Sequence, residues 1–132
     1  KRIDIAKLYL DVVEECEWLK PQLASSKALH SYWAFTLKLE SEICGISWTK
    51  FRECFIKNRG KSFYGSWSVS YLEPSLLGLK FPSSNLEYKK GLCPVAESIQ
   101  PSLIQLKTNF ETMDIAKKQA SILSETINEL SN

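Results

Sequence analysis

The chain has 132 residues, 44 % of them apolar, with 17 basic and 15 acidic side chains and a formal net charge of +2. A chain of this length buries roughly two thirds of the surface its unfolded form exposes, and its composition excludes a disordered segment or one long coiled coil. Both charge signs are spread along the sequence without a run of five like charges, so neither nucleic acid nor membrane is an expected partner.

The sequence opens at Lys1-Arg2-Ile3-Asp4, without a methionine, and enters a helical pattern almost at once. That abrupt start leads us to expect a piece of a longer polypeptide. The first pattern predicts an amphipathic helix over about 3–19. Ile5, Leu8, Tyr9, Val12, Cys16 and Leu19 recur at three- and four-residue steps and share one face. Pro21 is read as its stop, and Gln22 to Lys27 as a loop.

A strand is predicted over about 32–39. Trp33, Phe35, Leu37 and Leu39 alternate with polar positions, giving a dry face and a wet one. On that reading Trp33→Ser threatens the fold, whereas Lys38→Ser hardly matters. A second helix is predicted over about 48–59, with Ser47 as its cap and Gly60 as its left-handed end. Trp48, Phe51, Cys54 and Phe55 share a face. The basic group Lys57, Arg59 and Lys61 reads as a solvated helix end, with an anion site as the sharper alternative.

The stretch 61–91 fits neither period. It holds Phe63, Tyr64, Trp67 and Tyr71 among glycines and prolines. Aromatic-rich irregular chain of this kind suggests a surface packed against another domain, or the wall of a ligand pocket. Cys93 to Gln100 reads as a short helix with Pro94 in its first turn, and Leu103 to Leu106 as a strand. The last helix is predicted over about 113–130. Met113, Ala116, Ala120, Leu123, Ile127 and Leu130 form its stripe, Thr112 its cap. The order implies an α/β (α+β) two-layer domain, a small sheet with helices packed on one face.

Chemistry is sparse. No G-x-S-x-G, H-E-x-x-H, Walker or G-x-G-x-x-G sequence occurs. The single histidine, His30, excludes a multi-histidine metal site, and no metal ligand set is assigned. None of the four cysteines, Cys16, Cys44, Cys54 and Cys93, forms a C-x-x-C pair. Buried free thiols at Cys16 and Cys54 are the default. With no secretory leader and no long apolar run, a reduced, cytoplasmic setting is expected. A Cys93–His30 dyad would need a proximity that spacing does not reveal. His30 could donate to a substrate hydroxyl or phosphate, or cap a turn. Tyr64 and Trp67, beside flexible Gly65, could line a sugar or cofactor pocket, or form a domain seam.

Several runs resemble the carboxy-terminal domain of the DegT/DnrJ/EryC1/StrS sugar aminotransferases, in their perosamine-synthase-like branch. They are His30-Ser31-Tyr32-Trp33-Ala34-Phe35, Ile46-Ser47-Trp48-Thr49-Lys50-Phe51, Phe63-Tyr64-Gly65-Ser66-Trp67 with Tyr71-Leu72-Glu73-Pro74, and Cys93-Pro94-Val95-Ala96-Glu97 with Leu106-Lys107-Thr108-Asn109. The ending Ala116 to Leu130 is similar to that family's terminal helix. The resemblance covers nearly all of the chain, residues 1–132. It departs at Phe63-Tyr64-Gly65, where the family more often has a proline-rich segment.

The resemblance implies the small domain of fold-type I aminotransferases, with a mostly antiparallel sheet. The intact protein would use pyridoxal phosphate to move an amino group from glutamate to a nucleotide-linked keto sugar. The lysine that holds the coenzyme would lie in an amino-terminal large domain of the same polypeptide, absent from this sequence. It follows that no catalytic or cofactor-binding residue is assigned here, that this piece alone would bind no cofactor, and that Lys20, Lys27 and Lys107 do not take that role. His30, Trp33, Tyr64 and Trp67 carry over as substrate contacts, and the intact enzyme would be a homodimer. A sugar dehydratase with the same coenzyme, a stand-alone ligand-binding or protein-interaction module, and a small cysteine enzyme built on Cys93 stand as alternatives.

Overall fold

A computed structural model of the chain describes residues 1–61, 63–65, 68–83 and 86–132. Helix α1 spans Arg2–Val13 and buries Ile5, Ala6, Tyr9 and Val13. It stops well short of Leu19. Glu14, Glu15 and Glu17 crowd its carboxy-terminal side, where exposed carbonyls disfavour negative charge, and its last turn has no basic residue to offset them. The chain turns with the Cys16 amide donating to the Val13 carbonyl. Leu19 then enters a strand, β1, Leu19–Pro21. Cys16, Trp18 and Leu19 are buried all the same. The apolar stripe thus runs on from helix into strand, and Pro21 closes β1 rather than the helix.

Strand β2 spans Ala34–Leu39, with Phe35, Leu37 and Leu39 buried and the alternate positions half-buried. The expected alternation holds from Phe35 onward and fails at Trp33, which is 76 % exposed. Tyr32 is the cause. Its φ of 49° is left-handed and interrupts extended backbone just before residue 33.

A short helix, α2 (Ser41–Cys44), ends on Gly45 at φ 69°. Helix α3 (Trp48–Lys57) starts as predicted, with the Ser47 hydroxyl accepting from the Lys50 amide at 3.1 Å. Its end differs from expectation. Arg59, not Gly60, takes the left-handed conformation. Gly60 is required for another reason: a Cβ there would lie 2.3 Å from the Phe55 ring.

The middle of the chain is as irregular as its sequence suggests. It holds a two-residue strand, β3 (Tyr64–Gly65), a 3-10 turn at Ser70–Leu72 and an isolated bridge between Lys80 and Glu87. Phe63 is an exception to the expected seam or pocket wall. It is buried in the domain's own core against Trp48, Phe51 and Phe55. Helix α4 (Pro94–Ile99) carries Pro94 in its first turn, and strand β4 spans Leu103–Lys107. Helix α5 (Met113–Ser131) is capped by Thr112, whose hydroxyl accepts from the Ile115 amide at 3.3 Å.

The sheet is antiparallel, in the order β1-β2-β4-β3. Its buried side carries Phe35, Leu37, Leu39, Ile104 and Leu106, which share one core with residues of α1, α3 and α5. Helix α5 packs against both α1 and α3. The result is a small two-layer domain of mixed helices and antiparallel sheet, as the element order implied. Among the described residues no helix is long and apolar enough to cross a membrane.

Candidate functional site

The half-buried side of the sheet ends in a groove of about 260 Å³, lined by Arg2, Trp33, Ala34, Gln105, Lys107 and Asn109 together with Leu106. Its geometry follows from the β2–β4 ladder, which pairs Ala34 with Lys107 and Thr36 with Gln105. Gln105 also pairs with Tyr64 on its other side, so β3 brings the Tyr64 backbone to the same part of the sheet.

The turn that feeds β2 is bound at several polar points. The Tyr32 amide donates to Nδ1 of His30 at 2.9 Å, and the two rings stack with centroids 4.0 Å apart. The buried Thr108 hydroxyl reaches the carbonyls of Tyr32, at 2.6 Å, and Trp33, at 3.1 Å. Arg2 Nη1 donates to the Trp33 carbonyl at 3.4 Å. A bulky residue in left-handed backbone costs about 1–3 kcal/mol, and each net hydrogen bond returns about 0.5–1.5 kcal/mol. The turn therefore persists because several contacts over-determine it.

The outcome is an exposed indole beside two cations, Arg2 and Lys107, and two amides, Gln105 and Asn109. Such a surface offers a flat apolar face, positive charge and paired donors and acceptors. It suits a planar or sugar-like ligand with an anionic group.

Of the residues singled out from the sequence, His30 and Trp33 lie in this one turn, with different tasks. His30 braces Tyr32, while Trp33 faces out. Tyr64 contributes backbone to β3; its side chain and the whole of Trp67 lie outside the described residues. Arg2 and Thr108 were missed. Their signal was weak, because they come from opposite ends of the chain and meet the turn only through the fold.

A second polar constellation surrounds Glu97. Its carboxylate accepts from the Gly91 amide at 2.8 and 2.9 Å and from the Tyr71 hydroxyl at 2.5 Å, while the Cys93 amide donates to the Tyr71 oxygen at 2.9 Å. The Tyr71 hydroxyl, followed by the Gly91 and Cys93 amides, holds the Glu97 carboxyl below its usual range. Burial first, then the Glu97 carboxylate, pushes the Tyr71 phenol up to about 12. The network ties the irregular segment to α4. It also fixes Cys93 in contact with Tyr71 and Glu97, whereas His30 is engaged with Tyr32.

The remaining candidates resolve simply. Cys16 and Cys54 are buried free thiols, each raised in pKa chiefly by burial. Lys57 pairs with Glu129 at 2.6 Å, and Glu125 lines the groove beside Lys57, Arg59 and Lys118. These carboxylates and the carbonyl end of α3 offset the charge of Lys57 and Arg59, which fits a solvated helix end better than an anion site. Among the described residues no group of three His, Cys, Asp or Glu side chains could hold a metal. No protein-family model matches the chain, and no curated protein matches it either.

Proposed function

We propose that the chain is the small, carboxy-terminal domain of a DegT/DnrJ/EryC1/StrS-type sugar aminotransferase of the perosamine-synthase-like branch. The supporting observation is convergence. The segments His30 to Phe35 and Leu106 to Asn109, both of which carry the resemblance, meet at one groove, joined by the Thr108 clamp. In this reading Trp33 supplies a flat wall for a nucleotide-linked keto sugar. Arg2 and Lys107 supply charge for its anionic part.

In this reading no lysine of this chain holds the coenzyme covalently. Lys20, Lys27 and Lys107 are exposed. The domain's part is to shape and close the site, while pyridoxal phosphate is held by a large domain of the same polypeptide, in a homodimer.

The test is to express the full reading frame that contains these residues. Pyridoxal phosphate is added, the adduct is reduced with borohydride, and the labelled lysine is mapped. Label outside this chain, together with amino transfer from glutamate to a keto sugar nucleotide, supports the proposal. Label on one of this chain's own lysines, or no capture of the coenzyme, overturns it. Loss of water from the sugar without amino transfer would favour the dehydratase instead.

A stand-alone binding module is the second reading. Leu23, Leu29 and Trp33 are each more than three quarters exposed around the same turn and the loop before it. That reading requires the isolated chain to be monodisperse and to bind a sugar nucleotide or a protein without other domains; calorimetry decides it.

A further inference from the structure

We propose that Thr108 is a positioning residue, which holds the Trp33 indole out over the Arg2–Lys107 groove by clamping the turn before β2. Strand β4 ends at Lys107, paired with Ala34. Thr108 is the next residue, and its side chain continues where the main-chain ladder stops. Thr108 is 1 % exposed, so its hydroxyl has no water to turn to. It has one proton for two acceptors. The Tyr32 carbonyl at 2.6 Å takes the larger share and the Trp33 carbonyl at 3.1 Å the smaller.

The alternative state explains why the clamp matters. Were Tyr32 to relax from φ 49° to extended backbone, β2 would lengthen by pairing toward its start. Residue 33 has the same parity as Phe35, Leu37 and Leu39, all of which face the core. An extended turn would therefore draw the indole away from the groove and toward the helix side. Thr108 opposes this by binding the two carbonyls in the geometry that only the left-handed turn provides. His30 reinforces it from the amide side of Tyr32, and Arg2 from the Trp33 carbonyl.

The contact role of Trp33 rests on the function proposed above; the action of Thr108 on the indole does not. The experiment therefore has two arms, both on the full-length polypeptide. In the first, the protein is labelled with fluorotryptophan and Trp33→Phe assigns the Trp33 resonance in fluorine NMR. Thr108→Val keeps the shape and removes the hydroxyl. Loss of a hydrogen bond changes the ratio of two conformations roughly 2- to 10-fold. The Trp33 signal is accordingly expected to move and to lose solvent exposure. The buried Trp18 and half-buried Trp48 signals are expected to stay in place. Thr108→Ser should restore the Trp33 signal. If valine unfolds the protein, as collapse of the Trp18 and Trp48 signals would reveal, Thr108→Ala makes the same comparison without bulk. An unmoved Trp33 signal in the hydroxyl-free variant, or no recovery with serine, overturns the proposal.

In the second arm, turnover of a keto sugar nucleotide by Thr108→Val should show a raised KM with kcat nearly unchanged, and Thr108→Ser should recover KM. A displaced indole with unaltered KM overturns positioning for ligand contact. Absence of any transfer by the unaltered protein overturns the proposed function instead, and the NMR arm still decides whether Thr108 governs Trp33.

Discussion

Tyr71 donates its hydroxyl proton to the carboxylate of Glu97, a residue 26 positions further along the chain, and accepts the Cys93 amide in return. This pair fastens the least regular third of the molecule to α4. Glu97→Gln should loosen it. Amide exchange at Gly91 and Cys93 is expected to rise about tenfold or more, while exchange in the α1 and α5 cores stays unchanged. Equal acceleration everywhere would mean that the pair supports the whole fold rather than one segment.

The same pair sets a pH window. The Glu97 carboxyl lies below its ordinary 4.5 in the folded state, so its contribution is in place above 4.5 and lost as pH falls through the folded value. The Tyr71 phenol is raised from 10.0 to about 12, so its contribution is complete below 10.0 and lost as pH climbs toward about 12. Amide exchange at Gly91, corrected for intrinsic rates, should therefore be slowest between these limits, and Glu97→Gln should abolish the acid-side change.

Arg59 and Gly60 divide the end of α3 between them. Gly60→Ala would place a methyl 2.3 Å from the Phe55 ring and 2.6 Å from its carbonyl oxygen. Overpacking of this kind costs about 1–3 kcal/mol, read as a lower Tm. Arg59→Gly should act oppositely, because it removes a left-handed penalty of about 1 kcal/mol. If the two substitutions shift Tm in the same direction, this division of roles is wrong.

Trp33→Ser should leave stability within about 0.5 kcal/mol, as expected for an exposed side chain. Phe35→Ala, two residues on, should cost about 3–5 kcal/mol. Urea unfolding of the two variants makes the comparison. A large loss for Trp33→Ser would place that indole in the core after all.

Thr112→Ala removes the hydroxyl that caps α5 and should cost about 1 kcal/mol. The expected reading is a Tm lowered by roughly 3–5 °C, with the circular dichroism of the native state unchanged at low temperature.

Where local rules and tertiary packing agree, the sequence could be read directly. Ser47 and Thr112 cap the helices expected of them, Pro94 opens α4, and β4 falls within a residue of its predicted span. Where they compete, local reading fails. The stripe through Cys16 and Leu19 is apolar because those residues are buried, yet Leu19 is buried from a strand. Periodicity detects a buried face without naming the element that presents it. Trp33 was misread because a left-handed tyrosine is invisible to an alternation rule. The site was half legible. His30 and Trp33 are neighbours in sequence, but Arg2 and Thr108 reach the same turn across 31 and 75 intervening steps. No spacing pattern encodes that.

Strand β1 is three residues long and terminates in a proline, and at the opposite margin β3 has two among the described residues. A proline has no amide hydrogen to offer, and so short a rim presents few free donors or acceptors. The rims described here are thereby poor templates for further strands. Side chains on the sheet's flat surface, where the exposed tryptophan is found, offer a companion more to hold than these margins do.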